Sequence, residues 1–244
     1  MKHRSPRPSY GIDGPYYLFG LTAVSAVAVV AAFSSAGAGS AVLLGTLALA
    51  TAIPAALGAI YVAKGKLAHR DRLLAQIAWR GDEQVLDVGT GGGLLMIGAA
   101  RRVPEGRVFG VDLWRGADLS GNRRARTLGN AAIEGVADRV EVRDEDARSL
   151  SFPSATFDCV LSMLCLHNIQ DGRSLALDEI ARVLKPGGIV VLSDLAATAE
   201  YARHFDRLGF SVVHGPPVLG TFPFQRMVIA RKPSAAASCA AVDG

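Results

Sequence analysis

Two carboxylates and a cluster of glycines form the part of this 244-residue sequence best suited to binding chemistry. Asp87 lies two residues before the glycine-rich turn at residues 89–93, and Asp112 ends the next apolar segment. Glycine allows the backbone to approach a ligand where a Cβ would collide. A carboxylate at the end of the neighbouring strand can accept hydrogen bonds from both hydroxyls of a ribose. The spacing therefore predicts half of a nucleoside-binding α/β sheet, with the ligand at the carboxyl ends of the strands.

The residues around the turn discriminate between nucleoside cofactors. The dinucleotide fingerprint requires Gly-x-Gly-x-x-Gly/Ala, and counted from Gly89 its last position is Leu94. Asp87 would also repel a pyrophosphate. S-adenosylmethionine carries positive sulfonium and amino groups, and its single carboxylate can face a helix N-terminus. The turn therefore favours S-adenosylmethionine over NAD.

Further motifs follow the glycine-rich turn in order along the chain. They are Asp112, the pair Asp146-Ala147, the apolar segment and loop at residues 157–169, and the helix-to-turn sequence at residues 181–188. Together with the acidic-x-Gly-x-Gly-x-Gly pattern of residues 87–93, they make the chain resemble the class I S-adenosylmethionine-dependent methyltransferases from about residue 73 to residue 232. The resemblance implies an α/β fold with a doubly wound, mostly parallel seven-stranded sheet of the Rossmann-like methyltransferase type, whose last strand runs antiparallel.

The resemblance also implies a role for individual residues of the cofactor site. Asp112 is expected to hold the ribose, Leu113 to pack on the adenine face, and the pair Asp146-Ala147 to read the adenine edge. The positions expected to bind the cofactor are Asp87, Gly89, Thr90, Gly91, Gly93, Asp112, Leu113, Asp146 and Ala147. No group of His, Cys and acidic residues has the spacing of a metal site, so no metal is expected.

His167 is the candidate catalytic residue, because it follows the fourth predicted strand. Methyl transfer from a sulfonium is an in-line displacement, and holding the nucleophile close can lower such a barrier by roughly 7–11 kcal/mol. A general base is needed only when the acceptor must lose a proton, and an imidazole can take a phenolic proton near neutral pH. The alternative is that His167 shapes its loop by hydrogen bonding to the backbone.

A long uncharged segment precedes these motifs. No Asp, Glu, Lys, Arg or His occurs from Gly14 to Ala63, and two apolar runs lie at about residues 16–36 and 41–62. Each run approaches the ~20 residues that a bilayer-spanning helix needs. Basic residues flank the segment on both sides: Lys2, Arg4, Arg7, Lys64, Lys66, Arg70 and Arg72. The positive-inside tendency then predicts a hairpin with two spans in the cell membrane and a cytoplasmic catalytic domain.

Three other interpretations of the apolar runs stay open. The first run could be a cleaved signal peptide, because residues 35–38 are small enough for cleavage. Both runs could instead be buried helices of a soluble cap, since they are rich in alanine rather than leucine. A peripheral attachment to the membrane is disfavoured, because neither run has a charged face.

The pattern predicts four parts of the chain. They are a basic cytoplasmic N-terminus at residues 1–15, two transmembrane helices at 16–63, a methyltransferase domain at 64–233 and a disordered tail at 234–244. Strands are predicted at 84–89, 107–112, 139–143, 157–161, 189–194, 210–214 and 225–231. Helices of the domain are predicted at 70–79, 91–101, 118–134, 172–184 and 198–208, and residues 185–188 are expected to form a turn.

The functional prediction is a membrane-anchored methyltransferase acting on a small or lipophilic acceptor, such as a quinone-like phenol, an isoprenoid or a lipid headgroup. The alternative is a membrane-anchored module that binds S-adenosylmethionine without transferring its methyl group. The net charge of +4 comes partly from the flanks of the hairpin, so anionic lipid accounts for it better than nucleic acid. Aminopropyl transfer would require acids after the fourth strand, and residues 164–169 contain none. The sequence does not decide the oligomeric state.

Overall fold

The computed structural model describes residues 7–35 and 37–234. Several predictions of the sequence analysis therefore fall outside the described residues. They concern the basic residues Lys2 and Arg4, the possible cleavage segment around Ala36, and the tail after residue 234.

Seven strands and seven α-helices make up the described chain. The helices are α1 (Pro15–Phe33), α2 (Ala38–Ile60), α3 (Lys66–Leu74), α4 (Leu94–Ala100), α5 (Arg124–Ile133), α6 (Arg173–Val183) and α7 (Thr198–Arg207). The strands are β1 (Gln84–Val88), β2 (Arg107–Asp112), β3 (Val140–Asp144), β4 (Phe157–Met163), β5 (Leu184–Asp194), β6 (Ser211–Pro217) and β7 (Arg226–Arg231). Short 3₁₀ helices cover Ala137–Arg139 and Leu166–Asn168, and a π-helical segment covers Tyr61–Gly65.

The seven strands form one sheet in the order β3-β2-β1-β4-β5-β7-β6. The first five strands pair in parallel, whereas β7 runs antiparallel to both of its neighbours. The chain order reverses between β1 and β4, and ligands of open α/β sheets bind at such a switch point. The predicted doubly wound, mostly parallel seven-stranded fold is confirmed.

The sheet is apolar on both faces, which explains why its central strands read as continuous hydrophobic runs. Alternate residues of β1 face different cores: Val85 packs in one cluster, and Leu86 and Val88 pack in the other. Phe109, Phe152 and Phe157 meet edge to face in one of these cores. Asp87 lies on the same face of the sheet as Val85. It is buried like its apolar neighbours in β1, although it carries a carboxylate.

Several predicted boundaries were wrong. The helix predicted at 118–134 begins only at Arg124, because the backbone of residues 118–120 bonds instead to an N-terminal segment: Gly14 N donates to Asp118 O, and Ser120 N donates to Ile12 O. The predicted turn at 185–188 is a bulge within β5, since Leu184 pairs with Phe157 whereas Ile189 pairs with Cys159.

The helix predicted at 70–79 lies at Lys66–Leu74, and it continues the second apolar helix through the π-helical segment. One continuous helical run, apolar up to Ala63, therefore extends from Ala38 to Leu74 without an intervening linker. The predicted domain boundary at residue 64 falls inside this run, and the division into domains stays a prediction.

Helices α1 and α2 form an antiparallel hairpin. Ser25 Oγ donates a hydrogen bond to Ala48 O at 3.0 Å, and a Cβ at Gly58 would lie only 3.0 Å from Leu18. Both helices are long and apolar enough to cross a membrane, and only 6% and 11% of their most apolar windows are buried within the protein. Most side chains of the hairpin are therefore exposed and not packed on the sheet.

Candidate active site

A cavity of about 450 Å³ opens at the carboxyl ends of β1, β2 and β4. Its size is within the usual range for small-molecule sites. Eight of the nine predicted cofactor residues line it: Asp87, Gly89, Thr90, Gly91, Asp112, Leu113, Asp146 and Ala147. Gly93 is not part of the lining; it precedes α4 with φ +84°. The strand ends thus bring together residues that are separated by up to 60 positions in the chain.

The glycine-rich turn between β1 and α4 requires glycine on geometric grounds. Gly89, Gly91 and Gly93 all have positive φ, a conformation that L side chains rarely adopt. A Cβ at Gly89 would also overlap the side chain of Cys165, which packs directly against the turn. Because three residues of the turn have φ values that a helix excludes, α4 begins at Leu94 rather than at residue 91 as predicted.

Asp87 joins the turn to the first helical residues. Its Oδ2 accepts hydrogen bonds from Thr90 Oγ1 at 2.9 Å and from the backbone N–H of Met96 at 3.0 Å. Burial raises the pKa of Asp87 to about 7, and the neighbouring Asp112 acts in the same direction. A cation that enters the cavity would favour the ionised carboxylate and lower this pKa again.

Asp112 closes the other side of the turn. Its Oδ2 accepts from Gly91 N at 2.8 Å, and its Oδ1 accepts from Trp114 N at 2.6 Å and from Asn122 Nδ2 at 3.1 Å. A carboxylate has about four lone-pair positions, so Oδ2, with one donor, retains a position for a ligand hydroxyl. The side chain therefore holds the turn in shape and still presents an acceptor to the cavity.

Asp146 lies at the rim with its carboxylate oriented by Arg148. The guanidinium donates to both carboxylate oxygens, and the backbone N–H of Arg148 donates to Oδ1. These hydrogen bonds lower the pKa of Asp146 below its ordinary value, so the group is an anionic acceptor at neutral pH. Leu113 offers a half-exposed apolar surface to the same cavity.

His167 is not among the residues that line the cavity. Its Nδ1 lies 2.5 Å from Asp194 Oδ1, and its backbone N–H donates to Asp194 Oδ2 at 3.0 Å. The hydroxyl of Tyr201 donates to the same oxygen. The imidazole thus contacts a buried carboxylate behind the loop, whereas the next residue, Asn168, lines the cavity. The role of His167 as a general base stays a prediction.

The sequence analysis missed one wall of the cavity, which comes from the segment before the hairpin. We call residues 9–14 the N-terminal strap. Tyr10 and Asp13 of the strap line the cavity, and Ile12 N donates to Ser120 Oγ at 2.8 Å. The strap has no apolar periodicity and contains two glycines, so no local pattern indicated that it would pack over the cavity.

Lys66 hydrogen-bonds the strap to the start of α3, the helix that continues α2 of the hairpin. Its side chain is almost fully buried, and Nζ donates to Tyr10 O at 3.1 Å, to Gly11 O at 3.2 Å and to the Asp13 carboxylate. Asp13 lies two residues before α1, and Lys66 begins α3. Both ends of the apolar hairpin therefore meet at the cavity.

Comparison with known families agrees with this geometry. A family model described as a methyltransferase domain matches residues 86–192, the segment from β1 to β5 that carries the turn, Asp112 and Asp146. The chain contains a class I S-adenosylmethionine-dependent methyltransferase domain.

Curated relatives of the methyltransferase domain include enzymes named for quinone methylation. The chain is 36% identical over 145 residues to a demethylmenaquinone methyltransferase of Symbiobacterium thermophilum, covering 59% of this chain and 53% of that protein. It is 34% identical over 146 residues to a ubiquinone/menaquinone biosynthesis C-methyltransferase of Geobacter sulfurreducens, covering 59% and 54%. The chain thus spans about half the length of the curated relatives it matches.

Solved structures share the fold of the domain. A SAM-dependent methyltransferase from Aquifex aeolicus superimposes with a TM-score of 0.57 at 18% identity, covering 73% of this chain and 97% of that one. The [4+2]-cyclase SpnF superimposes with a TM-score of 0.59 at 20% identity, covering 69% and 81%. At this identity the likeness establishes the fold and not the reaction.

The charges of the cavity in the methyltransferase domain fit S-adenosylmethionine. Seven acidic side chains and three basic ones line it, an excess that favours a ligand with cationic groups. Asp87, Asp112 and Asp146 offer acceptors at the carboxyl ends of β1, β2 and β3 respectively, and Leu113 offers an apolar face. Cys165 also lines the cavity, but burial raises the pKa of its thiol far above the ordinary value, so it is not a nucleophile at neutral pH.

Proposed function

We propose that this chain is a membrane-anchored methyltransferase that transfers the methyl group of S-adenosylmethionine to a small or lipophilic acceptor by in-line displacement. One observation carries the proposal: residues at both ends of an exposed apolar hairpin, Asp13 and Lys66, form part of the wall of the methyltransferase cavity. A hairpin inserted in a bilayer would hold this wall at the membrane surface.

Each group of residues has a defined task in this proposal. Asp112 and Asp146 orient the nucleoside, and the ionised Asp87 stabilises its cationic part. S-adenosylmethionine supplies an activated methyl group, so the protein's main contribution is to hold the acceptor nucleophile in line and close. The strap excludes water from above, which strengthens the electrostatic interactions inside the cavity.

The acceptor is expected on the side of the cavity that is formed by the end of β4 and the loop after it. Met163 at the end of β4 and Leu164 and Ile169 after it supply apolar side chains to the lining. The polar side chains of the same loop that line the cavity are Asn168, Gln170 and Asp171. The apolar side chains of this wall suit a ring, and its polar side chains can hydrogen-bond to the few polar atoms that the ring carries. The relatives named for demethylmenaquinone and ubiquinone methylation support a quinone-like acceptor.

The anchoring proposal rests on the exposed surface of the hairpin. Large apolar side chains such as Phe19, Val27 and Leu43 are more than half exposed on α1 and α2. A soluble protein rarely exposes a continuous apolar surface of this extent, whereas a bilayer would cover it. A lipophilic acceptor dissolved in the same bilayer would then have a short path to the cavity.

The test is methyl transfer by the full-length protein in lipid nanodiscs with radiolabelled S-adenosylmethionine. We expect label in demethylmenaquinone included in the nanodisc, and no label with Asp112→Ala, which removes the ribose acceptor. A water-soluble amine is the competing acceptor. Methylation of the amine alone would contradict the lipophilic substrate. Binding of S-adenosylmethionine without transfer to any tested acceptor would contradict the enzymatic proposal and favour a binding module.

A further inference from the structure

A second cavity, of about 290 Å³, lies on the side of the α2–α3 helix opposite Lys66. The helix contributes Ile60, Lys64, Ala68, His69 and Arg72, and residues 219–221 of the β6–β7 loop close the other side. Lys64, Ala68 and Arg72 are spaced four residues apart, so they form one stripe along the helix. The cavity sits where the apolar part of the helix gives way to its charged part.

The loop can approach the helix this closely because residue 65 is glycine. A Cβ at Gly65 would lie 2.7 Å from the carbonyl oxygen of Gly220. Phe222 also reaches the hairpin, since a Cβ at Gly58 would lie 3.6 Å from its ring. The loop carries Leu219 and Phe224, which are 78% and 58% exposed. The loop and the end of the hairpin therefore form one surface with apolar side chains toward solvent.

The charge of this cavity is positive. Lys64 and Arg72 line it, and no acidic side chain of the described residues does. Lys64 has no salt-bridge partner within 4.0 Å in the described part of the chain, and Arg72 Nη1 donates only to the carbonyl oxygen of Leu219, at 3.2 Å. Both cations are therefore available to an anionic group.

The lining also contains a buried acceptor that has no donor. His69 is 2% exposed, and its Nε2 lies 2.7 Å from Ser193 Oγ. Ser193 Oγ donates to Gln225 Oε1 at 3.0 Å, so the histidine must be the donor to Ser193, and Nδ1 is left as the acceptor.

This tautomer is supported by the environment of the ring. Burial lowers the pKa of His69 to about 4, and Arg72 acts in the same direction, so the imidazole is neutral. Its buried Nδ1 has no hydrogen-bond partner among the described residues. An unpaired buried acceptor costs about 1–3 kcal/mol, and a hydroxyl donor in the cavity would remove that cost.

We infer that this cavity binds the headgroup of an anionic phospholipid, with its phosphate between Lys64 and Arg72 and a headgroup hydroxyl donating to His69 Nδ1. The lipid is favoured over a soluble phosphate compound because the end of the apolar hairpin and the exposed Leu219 border the same cavity, and the exposed Phe224 lies on the same loop. The inference rests on the proposed membrane insertion of the hairpin and not on methyl transfer.

The test measures lipid binding to the delipidated full-length protein in detergent by native mass spectrometry. The probes are phosphatidylglycerol, zwitterionic phosphatidylcholine, phosphatidylpropanol, which keeps the phosphate but lacks the hydroxyls, and glycerol 3-phosphate. We expect at least about tenfold tighter binding of phosphatidylglycerol than of phosphatidylcholine. Phosphatidylpropanol should bind several-fold more weakly than phosphatidylglycerol, because it cannot donate to His69.

Substitutions that remove positive charges test whether the lipid binds in this cavity. Lys64→Gln/Arg72→Gln should abolish the preference for phosphatidylglycerol, and Lys64→Gln alone, at an exposed position, should weaken it. Arg203→Gln/Arg207→Gln removes the same charge from exposed positions of α7 and should leave the preference intact. Equal losses in both double variants, or equal binding of phosphatidylpropanol, would overturn the inference. Glycerol 3-phosphate binding as tight as that of the lipid would identify a soluble ligand instead.

The same samples separate this inference from the proposed function. Neither Lys64 nor Arg72 lines the methyltransferase cavity, so the affinity for S-adenosylmethionine should stay within twofold of the wild type in each variant. Loss of lipid preference with retained cofactor binding supports the headgroup site alone. Absence of cofactor binding in the wild type would refute the proposed function and leave the lipid result standing.

Discussion

Asp112 stabilises the local structure in addition to its predicted role of holding the ribose. It accepts hydrogen bonds from Gly91 and Trp114 and from the side chain of Asn122, so it shapes the cavity as well as facing it. A hydrogen bond to a charged group contributes about 1.5–3 kcal/mol. For Asp112→Asn we therefore expect a rise in the dissociation constant of S-adenosylmethionine of about 10- to 100-fold, measured by calorimetry.

The matched control for this substitution is Asp82→Asn. Asp82 is exposed and pairs only with Arg80, and exposed pairs contribute little. Its affinity for the cofactor should equal that of the wild type. Equal affinities in Asp112→Asn and the wild type would show that Asp112 does not hold the ribose.

Asp87 makes both stability and binding depend on pH. Its pKa of about 7 in the folded protein exceeds the ordinary 3.8, so between these values the folded state holds a proton that the unfolded state has lost. The contribution of Asp87 to the free energy of unfolding is thus greatest below about pH 4 and is lost as the pH rises through about 7. Asp87→Asn should remove this decline, as measured by denaturant unfolding from pH 5 to 8.

A cationic ligand should reverse the protonation of Asp87. S-adenosylmethionine lowers its pKa on binding, so binding near pH 7 should release a fraction of a proton and should tighten as the pH rises. Calorimetry in buffers of different ionisation enthalpy measures that proton release. The same proton count in the wild type and Asp87→Asn would contradict the proposed contact.

At the scale of elements, the β1–α4 turn depends on the loop that follows β4. Gly89→Ala places a methyl group against Cys165 and forces a positive φ on a residue with a Cβ. We expect the free energy of unfolding to fall by about 1–3 kcal/mol and cofactor binding to weaken. Gly89→Ala/Cys165→Gly should recover part of the loss, since it removes both side-chain atoms that collide, Sγ and Cβ of Cys165, but leaves the strained φ.

Gly129→Ala is the control for a glycine that lacks these constraints. Gly129 lies in α5, and a Cβ there would meet no atom within 4 Å. Alanine favours a helix interior over glycine by about 0.5–1 kcal/mol, so thermal denaturation should show equal or higher stability. Identical effects at both glycines would mean that the packing of Cys165 does not constrain the turn.

The strap is the second element on which the cavity depends. Lys66→Met removes the donor to two strap carbonyls and leaves the Asp13 carboxylate without its cation. We expect faster amide exchange in residues 9–13 and faster release of S-adenosylmethionine. Lys64→Met, two residues earlier and without a contact to the strap, should change neither rate. Unchanged exchange in Lys66→Met would show that the strap is held by its other bonds, to residues 118–120, Asn130 and Glu134.

At the scale of the whole molecule, the hairpin predicts a defined topology. If both helices cross the bilayer, Ser40 in the first turn of α2 lies on the side opposite the methyltransferase domain. In intact cells of a Cys239→Ser background, a membrane-impermeant maleimide should label Ser40→Cys and should not label Ser149→Cys, an exposed position of the domain. Labelling of both positions only after lysis would contradict two spans.

Local sequence patterns were sufficient to predict the sheet, the glycine-rich turn and the acidic residues at the strand ends. Each of these features depends on local chemistry: apolar runs for buried strands, glycine for positive φ, and a carboxylate after a strand. Consequently eight of nine predicted cofactor residues line one cavity. The apolar hairpin could also be predicted, because an uncharged segment of 50 residues is long enough for two helices of about 20 residues each.

The strap over the cavity and the contacts of His167, in contrast, depend on residues far apart in the chain. Lys66 reaches the strap across 53 positions of the chain, and Asp194 lies 27 positions beyond His167. Neither partner is signalled by periodicity or by a motif. Such contacts arise because folding brings distant backbone carbonyls and carboxylates beside buried donors, which must be paired once water is removed.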